Sequence, residues 1–220
     1  MYGWQIFNTF AIKLKKLSMK LAIMTKATFF VEEDKILTTL FEEGLDNLHL
    51  YKPGASPIYS ERLLSLLPDS AYSKITVHGH FYLKDEYRLA GIHLDNKYEL
   101  LPDNYRGNVS RTCNDTDRLK ELKKISSYIF LGNIFDSQSN PSKLSEIPMG
   151  KIMEAADKGL INKNVYALGG MNINNIQFAK DMGFGGVVIC GDLWNRFDIH
   201  RQMDYKELIQ HFERLRKLVE

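Results

Sequence analysis

The sequence predicts a single α/β domain folded as a (β/α)8 TIM barrel. Two observations carry that expectation. Short apolar or β-branched runs recur eight times along the chain, and helix-like stretches lie between most of them. Parallel strands need a crossover connection, so the alternation reads as a parallel sheet, and eight units read as a sheet that closes. An open doubly wound sheet is the alternative arrangement of the same units.

The eight strand segments fall at residues 21–25, 47–51, 75–78, 91–94, 108–110, 128–131, 165–168 and 186–190. Each is short enough to be a buried strand. Residues 32–43 carry Ile36, Leu37, Leu40 and Phe41 at helical spacing, and residues 115–124, 149–158, 172–182 and 205–219 are similar. Asp115 and Asn172 stand where side-chain N-caps are expected, and Gly44, Gly159 and Gly183 where helices end. Residues 95–107 hold Pro102 and leave room for only a short helix. Residues 136–145 read as a long loop after the sixth strand, and residues 211–220 as a solvated helix face. Trp4 and Trp194 fit no pattern.

Composition narrows the function classes. A formal net charge of +2 gives no basic signature for nucleic acid, and three of the positive charges, Lys13, Lys15 and Lys16, lie in an acid-free start. In residues 1–18 the apolar part precedes the lysines, the reverse of a secretory signal. The expectation is an over-long start over residues 1–18 and a barrel domain over residues 19–220; an amphipathic surface helix is the other reading of the start. Cys113 and Cys190 form no C-x-x-C pair, which fits a reduced, cytoplasmic setting. No stretch is long and apolar enough to span a membrane.

Barrel enzymes work at the C-terminal ends of their strands. After the seventh strand comes Gly169-Gly170-Met171-Asn172, and after the eighth Cys190-Gly191-Asp192. Glycines there let backbone N–H groups approach an anion, and these two loops are the usual phosphate site of the fold; tight turns alone would also use them. His49, His78, His80 and His93 cluster in the second to fourth strand segments. Residues two apart on a strand face the same way, so His78 and His80 share a side if that strand continues. A neutral histidine deprotonating a substrate is one reading, an H-x-H metal site with Asp95 as partner a second, and packed barrel histidines the third. Ser110 has no acid–base neighbours of a nucleophile and reads as a hydrogen-bonding group. Ser137 and Ser139 could reach a phosphate or a polar ring; a solvated loop is the other reading.

In order, these segments resemble the thiamine-phosphate synthase and TenI family of barrels. Gly91-Ile92-His93-Leu94 is similar to the family's G-V-H-L-G, and Ala167-Leu168-Gly169-Gly170-Met171 with Asn175 to its A-I-G-G-I followed by Asn. Gly132-Asn133-Ile134-Phe135 stands where the family has G-P-I-F, and Gly186-Val187-Val188-Ile189 where it has G-V-A-V. The resemblance implies a thiazole-phosphate or thiamine-phosphate site, with phosphate on the Gly169, Gly170, Cys190 and Gly191 backbone. His49, Tyr51, Ser110, Gly132, Ser137, Ser139 and Met171 would line it.

The departures fall on the synthase chemistry. The family's Q-L-R-E-K is here His49-Leu50-Tyr51-Lys52-Pro53, so its pyrophosphate-binding Arg and Lys become Tyr51 and Pro53. Its Asn-Asp is His78-Gly79, and its second magnesium-binding Asp falls near Tyr98. No cofactor is expected unless the synthase reading holds, which needs magnesium. The TenI-like branch, which aromatises a thiazole tautomer bearing a phosphate and a carboxylate, needs no pyrophosphate site. Its proton-transferring histidine is Thr112 here, so His78 and His80 are the expected catalytic bases. A thiazole tautomerase is therefore the leading reading. The alternatives are a synthase with a rebuilt pyrophosphate site, a silent thiazole-phosphate binding protein, and an H-x-H metal-dependent hydrolase. Small-molecule phosphate esters are the expected partners, with no nucleic acid or membrane. Such barrels commonly dimerise, but the sequence marks no interface for a homodimer.

Overall fold

The computed structural model describes residues 18–96, 98–198 and 204–220. Trp4 and the leader up to residue 17 lie outside them. Eight parallel strands hydrogen-bond in sequence order and close into a barrel. The chain runs β1 (Lys20–Met24), α1 (Glu33–Glu42), β2 (Leu48–Leu50), α2 (Pro57–Leu66), α3 (Asp69–Tyr72), β3 (Ile75–Val77), α4 (Leu83–Glu86) and β4 (Gly91–Leu94). It continues through β5 (Asn108–Cys113), a 3-10 turn (Thr116–Arg118), α5 (Leu119–Leu122), β6 (Tyr128–Leu131), α6 (Met149–Asp157) and β7 (Val165–Ala167). The last elements are α7 (Ile176–Asp181), β8 (Gly186–Ile189), α8 (Gly191–Trp194) and α9 (Lys206–Val219).

The expected strands are all present. β1 closes against β8 with Lys20 opposite Gly186 and Ile23 opposite Ile189, which settles the closed barrel over the open sheet. The connection between β4 and β5 carries no helix among its described residues. α1 buries Ile36, Leu37, Leu40 and Phe41 against the barrel, as the spacing requires; full burial of such a side chain is worth about 1.5–3 kcal/mol. Gly44, Gly159 and Gly183 have φ of 93°, 65° and 79°, the left-handed conformation that ends a helix.

Three local expectations change. α7 starts at Ile176 rather than Asn172, because Asn172 Oδ1 accepts from Asn174 N and Asn175 Oδ1 from Asn172 N, forming a turn instead of a first helical turn. The C-terminal run is not only a solvated face: α9 buries Leu208, His211, Phe212, Leu215 and Val219. Trp194 has a place after all. It is fully buried, and its Nε1 donates to Met24 O at 2.7 Å, tying the β8 end to β1.

Candidate functional site

The barrel interior has two unlike halves. Ala22, Met24, Phe130, Tyr166, Leu168 and Val188 pack as an apolar cluster. Facing it, His49, Thr76, His78, His93, Ser110, Thr112 and Tyr128 form a polar cluster from β2 to β6, His78 standing just past the end of β3. Strand register brings them level: His49 lies opposite Thr76, His93 opposite Ser110 and Ser110 opposite Tyr128. Barrel interiors are normally filled by branched apolar residues. Polar groups there are costly unless paired, and these are paired. His49 Nδ1 lies 2.7 Å from His78 Nε2, and His49 Nε2 lies 2.8 Å from Tyr128 Oη. His78 Nδ1 lies 2.8 Å from Asp95 Oδ1. His93 is held at 2.8 Å by Ser110 Oγ on Nδ1 and by Thr112 Oγ1 on Nε2. Its ring stacks on that of His78, with centroids 4.2 Å apart.

The hydrogen bonds from Asp95 to Tyr128 share one direction. A carboxylate only accepts, so His78 Nδ1–H donates to Asp95. With His78 neutral, its Nε2 accepts from His49 Nδ1–H, and His49 Nε2 accepts from the Tyr128 hydroxyl. A proton added to His78 reverses the chain inward of Asp95, and Tyr128 then donates to Thr76 Oγ1, 3.4 Å away. Burial holds His49 and His93 well below the usual histidine range, and the neighbouring His78 acts in the same direction. Burial likewise pushes the Tyr128 hydroxyl up.

Asp95 is the group through which this network meets the C-terminal mouth. Its side chain is 32% exposed, whereas that of His78 is 1% exposed. Its backbone N–H donates to Glu99 Oε2 at 2.7 Å. Burial, with a smaller push from Asp95, raises the Glu99 carboxyl. The Tyr51 ring stands edge-on to His78 at 5.4 Å. Lys52, one residue on, is held under the loop after β1: its Nζ is bound to Glu33 at 2.6 and 2.8 Å and to Thr28 O at 3.1 Å.

Three loops meet on the other side of the mouth. Gly169 and Gly170 have φ of 95° and 60°. A Cβ on Gly170 would stand 2.4 Å from Asp136 O, and one on Gly191 2.7 Å from Ser139 N. The loop after β6 therefore lies against both glycines, and close backbone approach is itself a reason for glycine there. Gln138, Asn172 and Asn175 side chains all donate to Gly170 O. Ser137 Oγ and Ser139 Oγ are 3.3 Å apart. A cleft of 550 Å³ opens beside them, lined by Gln138, Gly191, Asp192, Asn195, Arg196, Asp198 and Glu207. Burial raises the Cys190 thiol, while Ser139, Lys26 and Lys52 pull it back. Lys26, just past β1, carries its Nζ over the Phe30 ring at 5.4 Å from the centroid.

The structure sorts the expected site residues. Tyr51, Ser137, Ser139, Gly169, Gly170, Cys190 and Gly191 stand at the mouth. His49 and Ser110 do not; they are at most 1% exposed and belong to the inner network. Met171 is 3% exposed, inside the apolar core. Gly132 sits where a Cβ would stand 2.6 Å from Leu168 O, a packing demand between β6 and β7. His80 does not share a side with His78: β3 ends at Val77, and His80 turns to φ 48° and bonds Ala55 O at 2.9 Å. His78 has both ring nitrogens engaged, by His49 and by Asp95. Lys26 and Glu99 were missed; lone charged residues beyond a strand end carry no periodic signal.

Among the described residues, no helix is long and apolar enough to cross a membrane. No curated protein matches the chain. A solved structure of thiamine phosphate pyrophosphorylase from Bacteroides thetaiotaomicron is 45% identical, over 91% of this chain and 97% of that one, with a TM-score of 0.82. Thiamine phosphate pyrophosphorylase from Pyrococcus furiosus, 15% identical over 93% of this chain and 96% of that one, has a TM-score of 0.66. A 3-hexulose-6-phosphate synthase, 14% identical over 92% of this chain and 100% of that one, has a TM-score of 0.60; at such identities the likeness shows the fold. The family model for thiamine monophosphate synthase and TenI matches residues 66–193, more than half of the sequence. The chain belongs to the thiamine-phosphate synthase/TenI family.

Proposed function

We propose that this protein binds a carboxylated thiazole phosphate at the C-terminal mouth and catalyses a proton shift in it, as a TenI-like tautomerase. The observation that carries the reading is Asp95: a partly exposed carboxylate at the mouth, oriented by a buried histidine. The phosphate would lie against the Gly170 and Gly191 backbone, with Ser139 and Lys26 beside it. Asp95 would then act as the general base. The carboxylate oxygen turned away from His78 takes a proton from substrate carbon and returns it at the new position, so one C–H bond breaks, another bond to hydrogen forms, and nothing is consumed. His78 Nδ1–H holds the other oxygen throughout and fixes the direction of attack. Such positioned acid–base groups contribute about 10²–10⁴-fold.

Magnesium-dependent pyrophosphate displacement fits these residues less well. Magnesium takes oxygen ligands in near-octahedral geometry, and the resemblance places Gly79 and Tyr98 where the synthase has carboxylates. The carboxylates at this mouth are Asp95 and Glu99 instead, and both are already engaged, Asp95 by His78 and Glu99 by the Asp95 backbone N–H. Lys52, the lysine nearest the lost pyrophosphate motif, is locked onto Glu33.

The test pairs calorimetry with a tautomerisation assay. Expected are one-site binding of the carboxylated thiazole phosphate that weakens in Lys26→Ala, and a fall in kcat of about 10²-fold or more in Asp95→Asn with little change in affinity. Wild-type turnover in Asp95→Asn, or no binding heat, would overturn the reading. Magnesium-dependent joining of the thiazole to a pyrimidine pyrophosphate would replace it with the synthase.

A further inference from the structure

We propose that His49, His78 and His93 form a binding site for one zinc ion inside the barrel. The three rings come from adjacent segments at β2, β3 and β4, and one nitrogen from each lies within 4.8 Å of the others. Zinc–nitrogen bonds of about 2.0–2.1 Å put tetrahedral ligand nitrogens about 3.3 Å apart. To admit the ion, the 2.7 Å contact between His49 Nδ1 and His78 Nε2 opens by about 0.6 Å, the nitrogens now up to 4.8 Å apart draw together, and the stacked His78 and His93 rings, 18° from parallel, rotate until both ring planes meet at the metal. His93 gives up one of its two hydroxyl partners, and both Ser110 and Thr112 can rotate away.

The surroundings match what zinc ligands require. A ligating histidine usually donates its other N–H to an oxygen that fixes ring orientation. His78 has Asp95, His49 has Tyr128, and His93 keeps one of Ser110 and Thr112. Proton accounting closes too. With zinc on His49 Nδ1, the proton moves to Nε2 and donates to Tyr128 Oη, so that ring binds as a neutral ligand. Three imidazoles with no carboxylate in the inner set select zinc and its transition-metal neighbours over magnesium or calcium. The site does not depend on the tautomerase reading, because Asp95 keeps its bond to His78 whether or not the ion is present.

The experiment uses the full chain without any thiazole ligand. Protein stripped with a chelator is titrated with Zn²⁺, followed by elemental analysis, and with Co²⁺, followed by visible absorption. The expected result is one equivalent of zinc, a cobalt spectrum of a low-coordinate nitrogen site, and loss of both in His93→Gln. Asp95→Asn, a change at the mouth, should fold and weaken zinc affinity about 10–100-fold; it decides the matter if His93→Gln does not fold. Absence of both cobalt absorption and bound zinc would overturn the site. So would stoichiometric zinc whose affinity ignores Asp95→Asn, since that ion would sit elsewhere.

Discussion

Replacing Lys52 with methionine tests whether that lysine serves the substrate or the scaffold. Both partners of the Lys52–Glu33 pair have side chains 2% exposed, and Lys52 Nζ also lies 4.4 Å from the centre of the Phe29 ring. Burial pushes Glu33 up and Lys52 down, each toward its neutral form, while their mutual attraction pulls both back. Lys52→Met leaves a buried carboxylate with no countercharge. Breaking a buried pair from one side costs about 3–5 kcal/mol, which for a domain of this size is a melting-point drop of about 6–20 °C. The deficit should shrink as pH falls, because a protonated Glu33 no longer carries the buried charge. The double variant Lys52→Met/Glu33→Leu should recover to within about 1 kcal/mol of the parent. Urea and thermal unfolding at pH 7 and pH 5 measure all of this. A single variant within about 1 kcal/mol of wild type that instead loses ligand affinity would refute the scaffold role.

Two further outcomes follow from the same structure. His49 and His93 are held neutral in the fold, so below the unfolded-histidine range near pH 6.5 the unfolded chain binds more protons. Their stability contribution is present above that pH and is lost as pH falls, by about 1.4 kcal/mol per pH unit for each ring; chemical denaturation between pH 7.5 and pH 5 should show the slope, and His93→Gln should reduce it. Gly170→Ala combines a φ of 60° with a Cβ 2.4 Å from Asp136 O, so it should destabilise by more than about 1 kcal/mol and displace the loop after β6; an unchanged melting curve would contradict the close approach.

The imidazole cluster gives this barrel an interior unlike an apolar TIM core, and it links the mouth to the centre of the fold through one carboxylate. Its cost is met by complete pairing: the buried side-chain atoms left without a partner among the described residues are Arg111 Nε, Ser126 Oγ and Arg216 Nε, none of them in the cluster.

The sequence by itself determined the barrel, because strand-length apolar runs and helical stripes such as Ile36, Leu37 and Leu40 are local signals that repeat. It missed α2, whose Ile58, Tyr59 and Leu66 are exposed and blur the apolar stripe, although Pro57 at its first turn marks a helix start. The glycine loops after β7 and β8 were legible because chain order places them together in any such barrel. What only the tertiary structure decided is which side chains meet. Period-two alternation gives a face but not a register, so His49, His78 and His93, spread over 45 positions of sequence, became one cluster only when β2, β3 and β4 were aligned. The same spacing rule failed for His80, because the strand stops before it and the backbone turns into the left-handed region. Lys52 was decided by Glu33, a partner 19 residues earlier on another element, which no local pattern in the sequence pairs with it.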